Sequence, residues 1–175
     1  MRASVFCATS LDGYIARIND GLDWLPGDDC EPHGYEEFIA TVDCLIIGRK
    51  TYEVVLGFGA WPYGKKPVFV LSRTMKGLRP PEGAVCELIS GTPREIVDIL
   101  ENRGLQHAYV DGGVTIQGFL EAGLIQRMTI TRIPVLIGSG IPLFGKLSRD
   151  VRLQHVATRS YASGLVQSEY TLLQA

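Results

Sequence analysis

Residues 107–118 read HAYVDGGVTIQG. A strand-like apolar run, Ala108–Asp111, stops on a carboxylate. Two glycines follow, and an apolar periodic segment begins at about Val114. The order strand, glycine pair, helix is one βα unit. Gly112-Gly113 serves either a tight turn or the close approach of something to the backbone.

The same unit recurs outward from this point. Cys44–Gly48 (CLIIG) is short and solidly apolar, as a strand buried on both faces should be. Ala3–Ala8, Pro67–Ser72 and Ala84–Ile89 are further strands. Thr92-Pro93-Arg94-Glu95 is a capping box with proline at the first helical position. Ile96, Val97 and Leu100 give that helix its apolar stripe, and Gly104 ends it. The helix after the glycine pair runs to Ala122, with Ile116, Phe119 and Leu120 on one side and Gly123 as its stop. Tyr35–Val42 and Thr51–Leu56 also read as helices. Towards the C-terminus the pattern changes. Arg127–Ile137 alternates and then turns continuously apolar. Val151–Ser160 and Leu165–Leu173 alternate around Ser163-Gly164, a hairpin signal. The expected architecture is α/β: a mostly parallel central sheet with antiparallel C-terminal strands and flanking helices.

Composition bounds the rest. The chain has 175 residues, which fits one domain over 1–175, and 46% are apolar, enough for a substantial core. Charged residues make up 21% and the net charge is -2, which argues against a nucleic-acid binder. No stretch approaches the ~20 apolar residues of a bilayer span, and MRASVFCATSLDGYIA lacks a secretory h-region. Cys7, Cys30, Cys44 and Cys86 show no metal-binding spacing. A cytoplasmic protein without disulfides or metal is expected.

Three strand ends carry polar or glycine chemistry: Gly48-Arg49-Lys50-Thr51, Leu71-Ser72-Arg73-Thr74 and Asp111-Gly112-Gly113-Val114-Thr115. Ligands of an open parallel sheet bind beyond such ends. A helix N-terminus presents free N–H groups, and glycine there lets a phosphate reach them. With Arg49, Lys50 and Arg73 adding positive charge, the set suits a ligand with several phosphates, such as a dinucleotide. No P-loop is present, and no GxGxxG stands at a strand–helix junction.

The chain resembles the dihydrofolate reductase superfamily, and more closely the single-domain relatives of the reductase domain of the riboflavin-biosynthesis deaminase–reductase. The resemblance rests on SLDGYIA (10–16), DCLIIGRKTYE (43–53), VLSR (70–73), VDGGVTIQGFL (110–120) and PVLIGSGIPLF (134–144), in the family's order and across nearly the whole chain. It implies a reductase using NADPH. Gly48, Arg49, Lys50 and Thr51 would then hold phosphates and ribose. Leu71, Ser72 and Arg73 would flank the adenosine, with Arg49 or Arg73 on the 2′-phosphate. Gly112, Gly113, Thr115 and Ile116 would bind pyrophosphate. Ile15 and Ala16 would lie near the nicotinamide.

Hydride reduction of a C=N or C=O bond also needs a proton. The resemblance puts the acid shortly after Trp24, at Asp29 or Asp28, with His33, Glu36 and Glu37 as rivals; solvated loop carboxylates are the competing reading. Asp12 would contact substrate or cap the turn at Gly13. Trp24 and Phe38 would wall a flat ring or serve the core. The aspartate-rich stretch usual after the GxxT region is replaced by Val54–Trp61, which argues against a ribose-phosphate substrate. The resulting expectation is an NADPH-dependent reductase of a pterin- or pyrimidine-like small molecule. The alternatives are a non-catalytic dinucleotide binder and a 5-amino-6-(5-phosphoribosylamino)uracil reductase. Aromatics at Phe58–Tyr63 and the long C-terminal strands point to a homodimer.

Overall fold

The computed structural model of the chain describes residues 1–27 and 31–173. Its elements, in chain order, are β1 (Arg2–Ser10), β2 (Tyr14–Ala16), α1 (Tyr35–Ala40), β3 (Cys44–Gly48), α2 (Arg49–Leu56), β4 (Val68–Leu71), β5 (Cys86–Ile89), α3 (Pro93–Asn102), β6 (His107–Asp111), α4 (Gly113–Glu121), β7 (Arg127–Ile133), β8 (Ile141–Pro142), β9 (Leu153–Ser160) and β10 (Val166–Leu172). Eight strands form one sheet in the order β5-β4-β3-β6-β1-β7-β10-β9. The first six are parallel, and β10 pairs antiparallel with β7 and β9. The mostly parallel sheet with antiparallel C-terminal strands is therefore present. The small antiparallel pair β2–β8 was not anticipated.

Strand alternation sorts the core into two faces. Cys44 and Ile46 of β3 pack with Ile96, Val97 and Leu100 of α3 and with Ile116, Phe119 and Leu120 of α4. Leu45 and Ile47 point the other way, onto Tyr52 and Val55 of α2 and the half-buried Tyr35 and Phe38 of α1. So β3 and β6 are neighbours whose following helices leave to opposite faces. That divergence opens a crevice at their carboxyl ends, where doubly wound sheets bind ligands.

Local chemistry sets most boundaries. The Thr92 hydroxyl accepts the Glu95 N–H at 3.3 Å while the Glu95 carboxylate accepts the Thr92 N–H at 2.7 Å, closing the expected capping box. Gly104, at φ 84°, ends that helix. Most element bounds shift by a residue or two from the sequence reading, and four of the shifts bear on the site or the sheet. α2 starts at Arg49 rather than Thr51, and α4 at Gly113 rather than Val114, so both glycine-led segments turn helical at once. β7 stops at Ile133, because Pro134 has no N–H to donate to a ladder. The first strand runs on to Ser10.

The aromatic loop at 58–63 folds back on its own core. Trp61 meets Tyr52 and Tyr63 edge-on, with ring centroids 6.2 and 5.1 Å apart, and Tyr63 is buried. Phe58 alone of these aromatics stays largely exposed.

Candidate functional site

The crevice between β3 and β6 is part of a cavity of about 800 Å³ that runs along the carboxyl edge of the sheet. From β4 through β3 and β6 to β1 it crosses three strand spacings, roughly 14 Å. Arg73, Gly91 and Pro93 line it beyond β4 and β5. Gly48–Thr51 and Gly112–Ile116 line its middle. Phe6, Cys7, Ala8, Tyr35, Tyr109 and Asp111 line its end at β1.

The middle is built by two helix N-termini that lock together. A side chain at Gly48 would place its Cβ 2.9 Å from Thr115 Oγ1, and one at Gly112 would collide with Thr51 Oγ1. The space at Gly48 is thus filled by the threonine of the second junction, and that at Gly112 by the threonine of the first. Gly112 also holds φ 94°, where an L side chain is strained. A Cβ at Gly113 would lie 3.0 Å from Ile15 Cδ1 and 3.3 Å from Ile141 Cγ2. The glycine pair therefore serves close approach by the protein's own chain, and through it brings the free N–H groups of α2 and α4 to one place.

The cations around this place differ in availability. Arg49 pairs with Glu53 one turn away at 2.8 Å, and Lys50 with Asp20 at 3.0 Å, a bridge from α2 to the loop after β2. Arg73 lines the cavity beyond β4 and is exposed. The Ser72 hydroxyl accepts the N–H groups of Thr74 and Met75, which fixes the turn around Arg73. Leu71 and Ile15 line the same cavity.

At the β1 end the sheet itself opens. β6 pairs with β1 only as far as Ser4↔Tyr109, whereas β1 stays paired to β7 up to Ser10. The Phe6 carbonyl, on the β6 side, accepts the Tyr109 hydroxyl at 2.7 Å. Strand residues two apart face the same neighbour, so the Ala8 backbone also faces that side, beyond the end of β6, and Ala8 lines the cavity.

Asp111 sits here. Its carboxylate accepts the Gly112 N–H at 2.8 Å and has no cationic partner among the described residues. It is half-buried on the cavity wall, and its desolvation pushes its pKa up to about 6 despite that hydrogen bond. Burial, with Asp111 nearby, pushes the Tyr35 hydroxyl up to about 12 and the Cys7 thiol and Tyr109 hydroxyl well above their ordinary ranges. A carboxyl that titrates near neutrality on a cavity wall is suited to giving up or taking a proton. The sequence signal was available: a carboxylate closing an otherwise apolar strand, directly before the glycines.

Several expected site residues lie elsewhere. Asp29, with Asp28 and Cys30, falls outside the described residues. Asp12 lines a different hollow, where its carboxylate accepts the N–H groups of Gly138 at 2.8 Å and Ile137 at 3.3 Å. The Ser10 hydroxyl first, and then these N–H groups, hold it below the usual carboxylate range. Trp24 is buried with Ile133 and Leu165. Phe38 stacks on Phe6 at 5.0 Å and meets Tyr109 edge-on at 5.1 Å, so it backs the cavity wall without lining it. Ala16 is buried against Gly140 rather than facing the cavity. His33 does line it, with its ring 6.3 Å from that of Phe6.

Residues 4–167 match the family described as the RibD C-terminal domain. The Bacillus subtilis protein YwjB, itself uncharacterised, is 31% identical over 168 residues, 95% of each chain. The crystal structure of a protein of Shewanella sp. PV-4, provisionally named for riboflavin biosynthesis, is 40% identical with a TM-score of 0.89, covering 99% of this chain and 100% of that one. Dihydrofolate reductase from Enterococcus faecalis, solved with NADP(H), shares the fold at a TM-score of 0.67 and 16% identity, covering 99% and 97%.

Proposed function

This chain belongs to the RibD C-terminal domain family, and we propose that it is an NADPH-dependent reductase of a small pterin- or pyrimidine-like ring. The observation that carries this reading is the elongated cavity with cations and two converging helix N-termini along one stretch and, at the other end, a half-buried carboxyl with no cationic partner among the described residues. Family membership and the dihydrofolate-reductase fold support it.

The residues present fit a phosphorylated dinucleotide. The N–H groups of residues 49–51 and 113–115 would hold pyrophosphate. Arg73, exposed beside Gly91 and Pro93, would take the 2′-phosphate, because Arg49 is already committed to Glu53. Ile15 and the Ala8 backbone would border the nicotinamide. When bound, the reduced nicotinamide supplies a hydride. Asp111 would hold the matching proton and pass it to the ring atom that gains negative charge. Tyr35 and Phe6 would flank that ring. Asp29 is retained as the alternative acid.

The test is disappearance of reduced-nicotinamide absorbance with a panel of pterins and pyrimidines, for the protein and for Asp111→Asn and Asp29→Asn. The reading expects turnover with at least one ring and its loss in Asp111→Asn with cofactor binding retained. Loss in Asp29→Asn alone would move the acid to Asp29. Cofactor binding without turnover of any ring would favour a non-catalytic dinucleotide binder. The alternative substrate that the sequence resemblance implies, 5-amino-6-(5-phosphoribosylamino)uracil, belongs in the panel.

A homodimer is proposed as well. Every residue of the edge strand β9 is exposed, Leu153 and Val156 among them, with Val166 and Leu173 exposed in and beside β10. A long, unpaired, partly apolar edge invites a second copy.

A further inference from the structure

The charges lining the cavity are unevenly placed. Arg49 and Lys50 stand at the start of α2 and Arg73 beyond β4; no other lysine or arginine lines the cavity. Asp28, Asp29, Cys30, Gln174 and Ala175, the residues outside the described ones, include no lysine or arginine and add no cation. The ring end is bordered by Phe6, Leu22, Leu25, Tyr35, Val54 and Phe58; its ionisable side chains are Asp111, His33 and Asp20, the last bonded to Lys50. Val54 lies one helical turn beyond Lys50, and Phe58 follows just past the end of α2. The Lys50–Asp20 bridge brings the loop carrying Leu22 and Leu25 over against them.

A phosphate ester placed there would leave water for apolar walls, find no lysine or arginine but Lys50, which Asp20 already holds, and lie on the same side as the Asp111 carboxyl. The three available cations face the stretch that a dinucleotide's own phosphates would neutralise, and two of them already hold carboxylates. An apolar group in the same place would bury its surface against Leu22, Leu25, Val54 and Phe58, a gain of roughly 25 cal/mol per Å².

We propose that the substrate is a ring compound without a phosphate group, its polar edge on Asp111 and the Ala8 backbone and an apolar substituent in the cleft between α2 and the 20–25 loop. The proposal rests on the reading that a reduced dinucleotide fills the other end. It separates this chain's substrate from the phosphoribosyl compound of the alternative reading.

Two uracils sharing one ring test it by calorimetric titration: 5-amino-6-(5-phosphoribosylamino)uracil and 5-amino-6-(benzylamino)uracil. Each is titrated with and without NADPH, and NADPH alone is titrated first. The benzyl compound is expected to bind at least tenfold more tightly than the nucleotide, about 1.4 kcal/mol. Equal binding, tighter binding of the nucleotide, or binding of neither overturns the proposal. Absence of NADPH binding alone would sink the cofactor reading instead, and the titrations without NADPH still read the preference. Val54→Lys supplies a second ammonium, inside the cleft, and should raise nucleotide affinity at least tenfold. A folded Val54→Lys protein that gains no affinity for the nucleotide would show that the substituent does not lie in this cleft.

Discussion

Replacing Asp111 by asparagine should make the protein more stable above neutral pH. The carboxyl moves from an ordinary 3.8 to about 6 because burial disfavours its charge and no cation answers it. The native state therefore keeps a proton that the unfolded chain has already released. Stability contributed by this group is full below about pH 4, falls as pH rises to about 6, and stays low above it. Two units at about 1.4 kcal/mol each set a ceiling of about 3 kcal/mol. Because the carboxyl opens onto the cavity, water recovers part of this, and about 2 kcal/mol is the expected gain for Asp111→Asn at about pH 8. For a chain of this length that is roughly 4–8 °C in melting temperature. At about pH 4 the gain should shrink below about 1 kcal/mol, since the native state then holds the proton and the unfolded chain has released only about half of it. The asparagine oxygen can still accept the Gly112 N–H, so the comparison isolates the charge. Thermal unfolding of both proteins across this pH range is the assay. A gain independent of pH, or a loss at about pH 8, would refute the reasoning. Turnover should move the opposite way, falling roughly a hundredfold or more with the proton donor, and in the unaltered protein it should decline as pH rises through about 6.

Four further outcomes follow from the geometry. Arg73→Ala should weaken NADPH roughly tenfold or more while leaving NADH binding nearly unchanged, as loss of a charge-assisted contact to one phosphate would do; titration with both cofactors reads it. Asp20→Asn should tighten NADPH by up to about fivefold, because it frees Lys50 from an exposed ion pair of at most about 1 kcal/mol, and the gain should fade in high salt. Gly112→Ala should cost about 2 kcal/mol or more in denaturant unfolding, since the new methyl meets Thr51 at a strained φ. Light scattering should find a dimer in solution, and lysines at Leu153 and Val156 on β9 should split it without unfolding the chain.

The strand–helix alternation could be read from the chain because each signal was local: the solid apolar run of CLIIG, the capping box at Thr92, the stop at Gly104. The GRKT, LSR and DGG stretches were likewise legible as strand ends, and Gly48–Thr51, Leu71, Arg73 and Gly112–Ile116 do line one cavity. What escaped depended on distant partners. The glycines look like a phosphate cradle until Thr51 and Thr115, on separate helices, are seen to fill them. The mouth at β1 depends on where two strands far apart in sequence stop pairing. Asp12 and Trp24 stood in suggestive places, yet one caps the backbone at residues 137–138 and the other joins a buried cluster, roles set by chain more than a hundred residues away. Asp111 reads as the end of a strand; only the folded surroundings lift its pKa to about 6.

The central claim is that a phosphorylated dinucleotide binds along the carboxyl edge between β4 and β1. Thermal unfolding with and without NADPH, NADH and FMN tests it most directly. NADPH at about 100 times its dissociation constant should add about 2.7 kcal/mol, roughly 5–11 °C here, with a smaller shift for NADH and none for FMN. No shift with either nicotinamide dinucleotide, or a larger one with FMN, would contradict the account.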